Sequence, residues 1–329
     1  MRYAVSFLSL ISVLILLACS GDVQRRQLFF KMDTATEVIL SVPRSFDVGP
    51  VWRSIDSLLS ISERHFSVTN ERSQIKGLNE RRENALPVPP ELGEMLKMGI
   101  AYGDTLDGSF DITVLPLKEI WGFCEDCTGN EPLPDSARIR AAVQKVDYRK
   151  VRVNETGDSI FFESGGIVVD AGGIAKGYVL KQAAQLLRDR GITNYLISAG
   201  GDILISGRKQ NKTPWRVGVQ HPRNRSELIT ALHLESGALV TSGDYERYRL
   251  IDNHRYHHIF NPHTGHPCHT NQSLTIWTLN PIRADILSTG LFCWPTDKIL
   301  EFVIARDDLE CLIVDSSGTI HTSNENFWF

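Results

Sequence analysis

The stretch VVDAGGIAKGYVLKQAAQLLRDRG, residues 168–191, carries three local signals in immediate succession. Its apolar, β-branched start predicts a short strand, and the glycines after it predict a tight turn. Apolar side chains then recur on one helical face as far as Gly191, which is suited to a helix C-cap. The stretch therefore predicts a strand, a glycine turn and a helix from Ile174 to Arg190.

The turn itself contains Gly172, Gly173 and Gly177, with Lys176 among them. It does not match the phosphate loop G-x-x-x-x-G-K-[ST], because Lys176 precedes Gly177, and its glycine spacing does not match G-x-G-x-x-G. Glycines let a ligand approach the backbone, and the N–H groups that begin a helix attract anions. Two interpretations stay open here: an anion-binding turn, and a tight turn whose glycines only permit packing.

The rest of the chain predicts an α+β fold. Apolar residues at helical spacing predict helices that begin near Val48 and Pro89, and a short helix around Ser136. After Lys150 short strands predominate, interrupted by the helix described above and by one around residues 282–294. These strands do not alternate regularly with helices, which argues against a Rossmann fold. We expect a helical N-terminal part packed on a strand-rich C-terminal part.

Length and charge restrict the class of protein. The chain has 329 residues, of which 42% are hydrophobic, enough for a large domain with a sizeable core. Its formal net charge is -4, and no basic stripe is present. Nucleic-acid binding is therefore not expected.

The first twenty residues, MRYAVSFLSLISVLILLACS, predict export to the cell envelope. The apolar run is too short for a convincing membrane-spanning helix and is typical of a signal peptide. LLAC resembles a bacterial lipobox, which would make Cys19 the lipidated first residue after cleavage, and a plain secretory signal or an uncleaved anchor is the alternative. We expect a signal peptide over residues 1–18, a tether over 19–27 and one domain over 28–329. Acyl chains would then hold a periplasm-facing lipoprotein to a membrane.

Five cysteines remain after that cleavage, an odd number that excludes complete pairing within the chain. Only Cys124 and Cys127 have suggestive spacing, because C-x-x-C occurs in redox sites, in zinc sites and in loop disulfides. No second such pair lies nearby. A local disulfide, or two idle thiols, is therefore expected rather than catalysis.

Asp285 and Thr289 lie four residues apart on a predicted helix, so they share one face. Carboxylate and hydroxyl oxygens are hard ligands that suit Mg²⁺ better than zinc. The same spacing is also common on solvated helix faces. By itself the pair does not decide between a metal site and a solvated surface.

Six of the ten histidines fall within residues 254–269. The spacing of His263, His266 and His269 invites comparison with a zinc site. However, a strand followed by a turn would point these side chains in different directions, without the fixed helical geometry of H-E-x-x-H. One histidine of the cluster suits a general base instead, because its ordinary pKa is near neutral.

Taken together, these motifs resemble the FAD:protein FMN transferases, the ApbE-type flavin transferases. The matching stretches are KMDT (31–34), SQIKGLN (73–79), GSFDITVLPL (108–117), WGF (121–123), VDAGGIAKGY (169–178), NYLISAGGDI (194–203), TSGDYERY (241–248), YHHIFNPHTG (256–265) and ADILSTGL (284–291). They cover nearly all of the mature chain in one order. The resemblance implies that family's fold, with the ligand site in the groove between the helical and strand-rich parts.

The family cleaves FAD at its pyrophosphate, transfers FMN to a Thr or Ser hydroxyl of a partner protein and releases AMP. The resemblance therefore implies FAD as substrate and Mg²⁺ as cofactor. It also implies an acceptor, such as a redox-pump or flavoprotein subunit, with a D-x-x-[ST]-G-A-[ST]-like motif. Such phosphoryl transfer needs charge neutralisation and in-line positioning more than covalent help from the enzyme.

The resemblance also implies a role for individual residues. The carbonyl of Gly173, with Asp285 and Thr289, would bind the metal. His258 is the first candidate for the base that activates the acceptor hydroxyl, and His257 is the second. The implied FAD-binding residues are Met32, Thr69, Ser109, Phe110, Asp111, Ile112, Asp170, Gly172, Lys176, Ser242, Gly243, His258, Ile259 and Phe260. Lys176 lies on the substrate side and is also a catalytic candidate, which would steady the developing charge or orient the acceptor.

Some residues depart from the family pattern, and other functions fit the same motifs. Thr69 stands where many relatives have Tyr, so contact with the isoalloxazine ring is expected to differ. A Mg²⁺-dependent FAD pyrophosphatase would use the same site with water as acceptor. A non-enzymatic FAD-binding lipoprotein is a further alternative, although FAD binding alone needs no Asp285–Thr289 pair. A zinc hydrolase based on the histidine cluster is the most distant alternative.

Overall fold

The computed structural model describes residues 21–68, 70–124, 127 and 131–329. The expected signal peptide, Cys19 and Thr69 lie outside these ranges. Within them, no helix is long and apolar enough to cross a membrane. The lipid anchor therefore stays a prediction.

Strands account for most of the second half of the molecule and for its very beginning. In chain order, the strands of the described residues are β1 (Asp22–Lys31), β2 (Thr34–Pro43), β3 (Ala85–Pro87), β4 (Val151–Val153), β5 (Ser159–Phe162), β6 (Tyr195–Ala199), β7 (Asp202–Ser206), β8 (Trp215–Gln220), β9 (Leu228–Leu234), β10 (Ser236–Gly243), β11 (Tyr248–Ile251), β12 (His254–His257), β13 (Asn271–Thr278), β14 (Glu310–Asp315) and β15 (Ile320–Thr322). The central sheet has the order β1-β2-β6-β7-β10-β13-β14-β15, and all its neighbouring strands are antiparallel.

Helices cover this sheet. The α-helices of the described residues are α1 (Gly49–Phe66), α2 (Gln74–Asn79), α3 (Pro90–Thr105), α4 (Leu115–Ile120), α5 (Ser136–Val143), α6 (Ala175–Arg188), α7 (Pro281–Gly290), α8 (Thr296–Ile304) and α9 (Glu325–Trp328). Short 3₁₀ turns occupy Tyr148–Lys150 and Leu291–Cys293. The α+β class is confirmed, and so are the helices expected from the periodicity of the sequence.

Side chains alternate across the central sheet and build a core on each face. On β14, Cys311 and Ile313 face a large core shared with α1, α6, α7 and α8. Leu312 and Val314 point the other way, into a smaller core that includes residues of the β8–β9 hairpin and Trp328 of α9. Because both faces are covered, strand ends and connecting turns are left to form the ligand site.

The first two strands are the main departure from the expected architecture, which began with helices. β1 and β2 form a hairpin through Met32 and Asp33, whose φ angles of 57° and 53° are those that a two-residue hairpin turn requires. β2 pairs with β6, so this segment completes the central sheet rather than the helical layer. Since β1 begins at Asp22, residues 22–27 belong to the folded domain and not to the expected tether.

The stretch over residues 168–191 contains the predicted turn and helix but not the predicted strand. The backbone N–H of Val169 donates to Asn79 Oδ1 at 2.7 Å, and Asn79 Nδ2 donates to the carbonyl of Val169 at 2.9 Å. The N–H of Asp170 donates to the carbonyl of Ile112 at 2.6 Å. A side-chain amide from α2 thus satisfies backbone groups that a neighbouring strand would satisfy in a sheet.

Gly177 sets the distance between α6 and α7. A Cβ atom at this position would lie 2.4 Å from the carbonyl oxygen of Pro281 and 2.9 Å from Cβ of Asp285. The N–H of Gly177 donates to Asp285 Oδ2 at 2.8 Å. The two helices touch here because glycine has no side chain.

Two disulfides are present. Cys124–Cys127 confirms the local disulfide, and Cys268–Cys293 is a pair that the spacing did not suggest. The second disulfide connects the turn after β12 to the end of the α7 segment. Among the described cysteines, Cys311 is unpaired and buried.

We expect Gly177→Ala to destabilise the protein by about 1–3 kcal/mol, because the added methyl group forces α6 and α7 apart. Gly77→Ala is the matched control, since Gly77 is also helical and has no atom within 4 Å of an added Cβ. The control should be neutral or stabilising by up to about 1 kcal/mol through helix propensity. Urea unfolding of both variants measures the difference, and equal midpoints would contradict the close packing.

Candidate active site

The glycine turn lies where several strand ends and helix ends meet. The hairpin turn of β1–β2 is adjacent to the β6–β7 turn, where an added Cβ at Gly200 would lie 3.0 Å from Cγ2 of Thr34. The end of β10 packs on α7, since Ser242 Oγ lies 3.0 Å from Ser288 Oγ and 3.3 Å from Thr289 Oγ1. The predicted residues of the turn, of β10 and of α7 are thus brought together.

Three charged side chains, Lys176, Asp202 and Asp285, form the centre of the site. Lys176 Nζ lies 2.5 Å from Asp202 Oδ2. Burial raises the pKa of Asp202 and raises that of Asp285 to about 7. Burial alone would lower the pKa of Lys176, but the two carboxylates outweigh it and raise that pKa. One ammonium group therefore faces two buried carboxylates, an excess of negative charge that favours a bound cation.

The oxygen atoms next to this cluster fit Mg²⁺. Asp285 is 2% exposed and Ser288 is fully buried. The backbone of Gly173 lies against Thr289, because a Cβ there would be 3.4 Å from Thr289 Oγ1. A carboxylate, a hydroxyl and a backbone carbonyl are the hard ligands that Mg²⁺ prefers. Asp285, Thr289 and Gly173 contain these three types of oxygen, and the Gly173 backbone lies next to Thr289.

The histidine cluster is dispersed in comparison. His263 Nε2 lies 2.8 Å from the carbonyl of Asp107, and the ring of His266 packs against Trp121. His269 packs against His257 instead. Across the described ranges, no group of three or more His, Cys, Asp or Glu side chains is gathered to hold a metal ion.

A second Lys–Asp pair lies at the start of the glycine turn. Lys118 Nζ lies 2.7 Å from Asp170 Oδ2, and Asp170 is 5% exposed. Burial alone would raise the pKa of Asp170, but the Lys118 ammonium outweighs it and leaves that pKa below its usual range. An added Cβ at Gly172 would lie 2.8 Å from Lys118 Nζ. The turn is therefore flanked by a lysine at each end.

His258 is half-buried and has one ring nitrogen available. Its Nδ1 lies 3.1 Å from the carbonyl oxygen of Arg247, which can only accept, so Nδ1 carries the proton. Nε2 of the neutral ring is then the basic nitrogen. Burial, followed by the nearby Lys118 ammonium, lowers the pKa of His258 to about 3. The ring is neutral at physiological pH and can accept a proton.

His257 has the opposite environment. It is 1% exposed, its Nε2 donates to the carbonyl of Cys268, and its Nδ1 accepts from the N–H of Ile259 at 3.2 Å. Burial lowers its pKa to about 4. Both ring nitrogens are occupied in the interior, so the geometry supports His258 and gives His257 a structural role.

The expected groove residues divide into lining and supporting groups. Asp111 accepts from Thr113 and from the N–H of Tyr148, and therefore holds the loop rather than a ligand. Ile112, Ile259 and Phe260 are buried in the core. Ser109 accepts from Trp294 Nε1 at 2.9 Å.

The remaining groove residues lie at the glycine turn or near it. An added Cβ at Gly173 would lie 2.9 Å from the ring of Phe110, so that ring borders the turn. Met32, in the β1–β2 turn, is half-buried, and its N–H donates to Glu63 at 2.8 Å. Gly243 is buried at the end of β10. The role expected of Thr69 lies outside the described residues.

Lys118, Asp202 and Ser288 belong to the site although the sequence analysis did not select them. Asp202 follows the glycine pair of the β6–β7 turn, and Lys118 lies in α4. Ser288 lies within the ADILSTGL motif, where its position next to Thr289 was the available signal. Asp202 lies within NYLISAGGDI (194–203), which shares in the family resemblance, whereas no local pattern distinguishes Lys118 from an ordinary surface residue.

Without added divalent cation, wild type should lose stability relative to Asp285→Asn as the pH rises through about 7. The folded-state pKa of Asp285 is raised, so its stabilising contribution is complete below its unfolded pKa and is lost above its folded pKa. Between pH 5.5 and 8 the difference in unfolding free energy between the two proteins should change by about 1–2 kcal/mol, whereas the opposite contribution of the histidines with lowered pKa is common to both and cancels. Urea midpoints measured in EDTA test this, and an identical pH dependence in both proteins would contradict it.

The chain is similar to known proteins in both sequence and structure. The model of the ApbE family matches residues 32–313. The FAD:protein FMN transferase of Salmonella typhimurium is 30% identical over 271 residues, which cover 80% of this chain and 76% of that protein. The corresponding enzyme of Haemophilus influenzae is 27% identical over 281 residues, which cover 83% and 81%.

Solved structures have the same fold. The ApbE protein of Thermotoga maritima superimposes with a TM-score of 0.85 at 32% identity, over 93% of this chain and 99% of that one. The apo flavinyl transferase ApbE of Pseudomonas stutzeri gives 0.83 at 24% identity, over 94% and 98%. The match to the family model, over residues 32–313, includes the glycine turn, the end of β10, His258 and α7.

Proposed function

Because the chain belongs to the ApbE family and is an FAD:protein FMN transferase, we propose that it uses Mg²⁺ and releases AMP. The acceptor is a Thr or Ser hydroxyl within a D-x-x-[ST]-G-A-[ST]-like motif of a redox-pump or flavoprotein subunit. Its oxygen forms a bond to the phosphorus of the FMN half as the pyrophosphate P–O bond breaks. The hydroxyl proton passes to the enzyme, and AMP leaves with the bridging oxygen.

The observation that carries this proposal is the excess of buried negative charge at Lys176, Asp202 and Asp285. Asp285, Thr289 and the carbonyl of Gly173 would hold the ion. When bound, Mg²⁺ neutralises phosphate charge and stabilises the charge that develops during transfer.

Lys176 holds a fixed positive charge at the start of α6. Its ammonium group is anchored by Asp202 at 2.5 Å, and its raised pKa keeps it protonated over the physiological range. The N-terminus of α6 presents backbone N–H groups at the same place. Together they attract the phosphates of FAD to the glycine turn and orient them.

His258 accepts the proton of the acceptor hydroxyl at Nε2. The hydrogen bond from Nδ1 to the carbonyl of Arg247 fixes both the tautomer and the ring orientation. A bound pyrophosphate raises the basicity of the ring, because its negative charge stabilises the imidazolium form. Proton acceptance is therefore coupled to the presence of substrate.

The proposed location is the bacterial cell envelope. LLAC at the end of the apolar N-terminal run supports lipidation of Cys19 and attachment to a membrane. The catalytic domain would then face the periplasm, where disulfides such as Cys124–Cys127 persist.

Asp285→Asn should reduce flavin transfer at least 100-fold, because it removes the charged ligand of the metal. Wild-type and variant proteins are incubated with FAD, Mg²⁺ and a protein bearing the acceptor motif, and covalent flavin is read as fluorescence on a denaturing gel. Asp297→Asn, an exposed carboxylate of α8, is the control and should label normally. Full labelling by Asp285→Asn would refute the metal site.

Free FMN and AMP released without acceptor, at a rate comparable to transfer, would indicate a pyrophosphatase instead.

His258→Gln should reduce the rate of transfer about 10²–10⁴-fold, the usual contribution of a general base, with little change in the KM for FAD. His233→Gln on β9 is the matched control, because His233 is exposed and distant in sequence from the motifs of the site. Initial rates of acceptor labelling give both constants. A rate unchanged in His258→Gln would exclude this histidine as the base.

A further inference from the structure

A polar cavity of about 330 Å³ opens next to the site, and no part of the proposed chemistry uses it. Its lining includes Arg223, Asp244, Arg255, Tyr256, His269 and Gln272. Its volume is sufficient for one large side chain and part of its backbone. The charges and hydrogen bonds of this lining show what it can bind.

The lining carries more positive than negative charge. Asp244, which is 8% exposed, accepts two hydrogen bonds from Arg223 at 2.7 Å each and one from Arg255 Nη1 at 3.1 Å. One carboxylate thus pairs with two guanidinium groups, which leaves one positive charge without a balancing negative charge in the lining. Arg255 also lies over the ring of Tyr248, at 4.4 Å from its centroid, which holds the guanidinium in place. A carboxylate ligand would complete the charge balance and pair with Arg255.

The lining of the cavity is connected to the base through the chain. Tyr256, which lines the cavity, precedes His258 by two residues. Asp244 follows directly after the end of β10, two residues after Ser242. A polypeptide that delivers a hydroxyl to His258 therefore passes close to the cavity.

We propose that this cavity binds an acidic side chain of the acceptor protein, with the carboxylate on Arg255. The inference rests on the proposed transfer of FMN to a protein hydroxyl, and it identifies how the acceptor is recognised. The flavin is bound at the glycine turn, whereas acceptor specificity is assigned to a separate, positively charged cavity beside the base.

The test is steady-state flavin transfer at varied concentrations of a protein bearing the motif D-x-x-[ST]-G-A-[ST]. Arg255→Gln should raise the KM for the acceptor about tenfold or more and change kcat less than twofold, and Arg255→Lys should show a smaller rise. Arg216→Gln, an exposed arginine on β8, is the matched control and should behave as wild type. An Asp→Asn change in the acceptor motif should raise the KM of wild type but add little in Arg255→Gln.

A stricter test exchanges the charges of Arg255 and of the acidic side chain in the acceptor motif. Arg255→Glu should label the unmodified acceptor poorly and should recover at least part of its rate with an acceptor whose motif Asp is replaced by Lys. An unchanged acceptor KM in Arg255→Gln, with wild type active, would overturn this inference and leave the proposed function intact. A change confined to the KM for FAD would also overturn it, since the cavity would then bind the nucleotide. Absence of labelling by wild type would instead refute the proposed function.

Discussion

The molecule depends on one buried arrangement, in which Lys176 faces the carboxylates of Asp202 and Asp285. The three residues belong to α6, β7 and α7, so their attraction connects two helices to the central sheet. Two buried carboxylates and one ammonium are stable together only if a further cation or a proton is present. The interaction that positions α6 and α7 therefore also creates the site where a metal ion is expected.

Close packing makes this arrangement possible. The absence of a side chain at Gly177 lets α7 approach near enough for Asp285 to accept a backbone N–H from α6. The same carboxylate then lies beside Thr289 on its own helix. A glycine that resembled part of a phosphate-binding loop is thus needed for helix contact as well. The structure supports the packing interpretation at Gly177, and anion binding by the turn stays a prediction.

Neighbouring residues can have different roles when the backbone turns between them. His257 ends β12 and points into the core, where both ring nitrogens are bonded, whereas His258 follows the strand and keeps Nε2 available. Sequence analysis could rank this pair only by resemblance, since the two are chemically identical. Lys118 and Asp202 were missed for a related reason, because their partners lie 52 and 26 residues away in sequence. The periodicity of apolar residues along the sequence gives no information about such long-range ion pairs.

The sequence by itself determined the α+β class, the helices around residues 174–190 and 282–294, and the family. These depend on short-range periodicity, turn chemistry and collinear motifs, which a chain carries before it folds. Only the tertiary structure decided that Val169 bonds to Asn79 rather than to a neighbouring strand, and that β1 and β2 complete the sheet. It also decided which histidine keeps a basic nitrogen. Burial and long-range partners, which set the charge state and exposure of a side chain, exist only after distant segments have packed together.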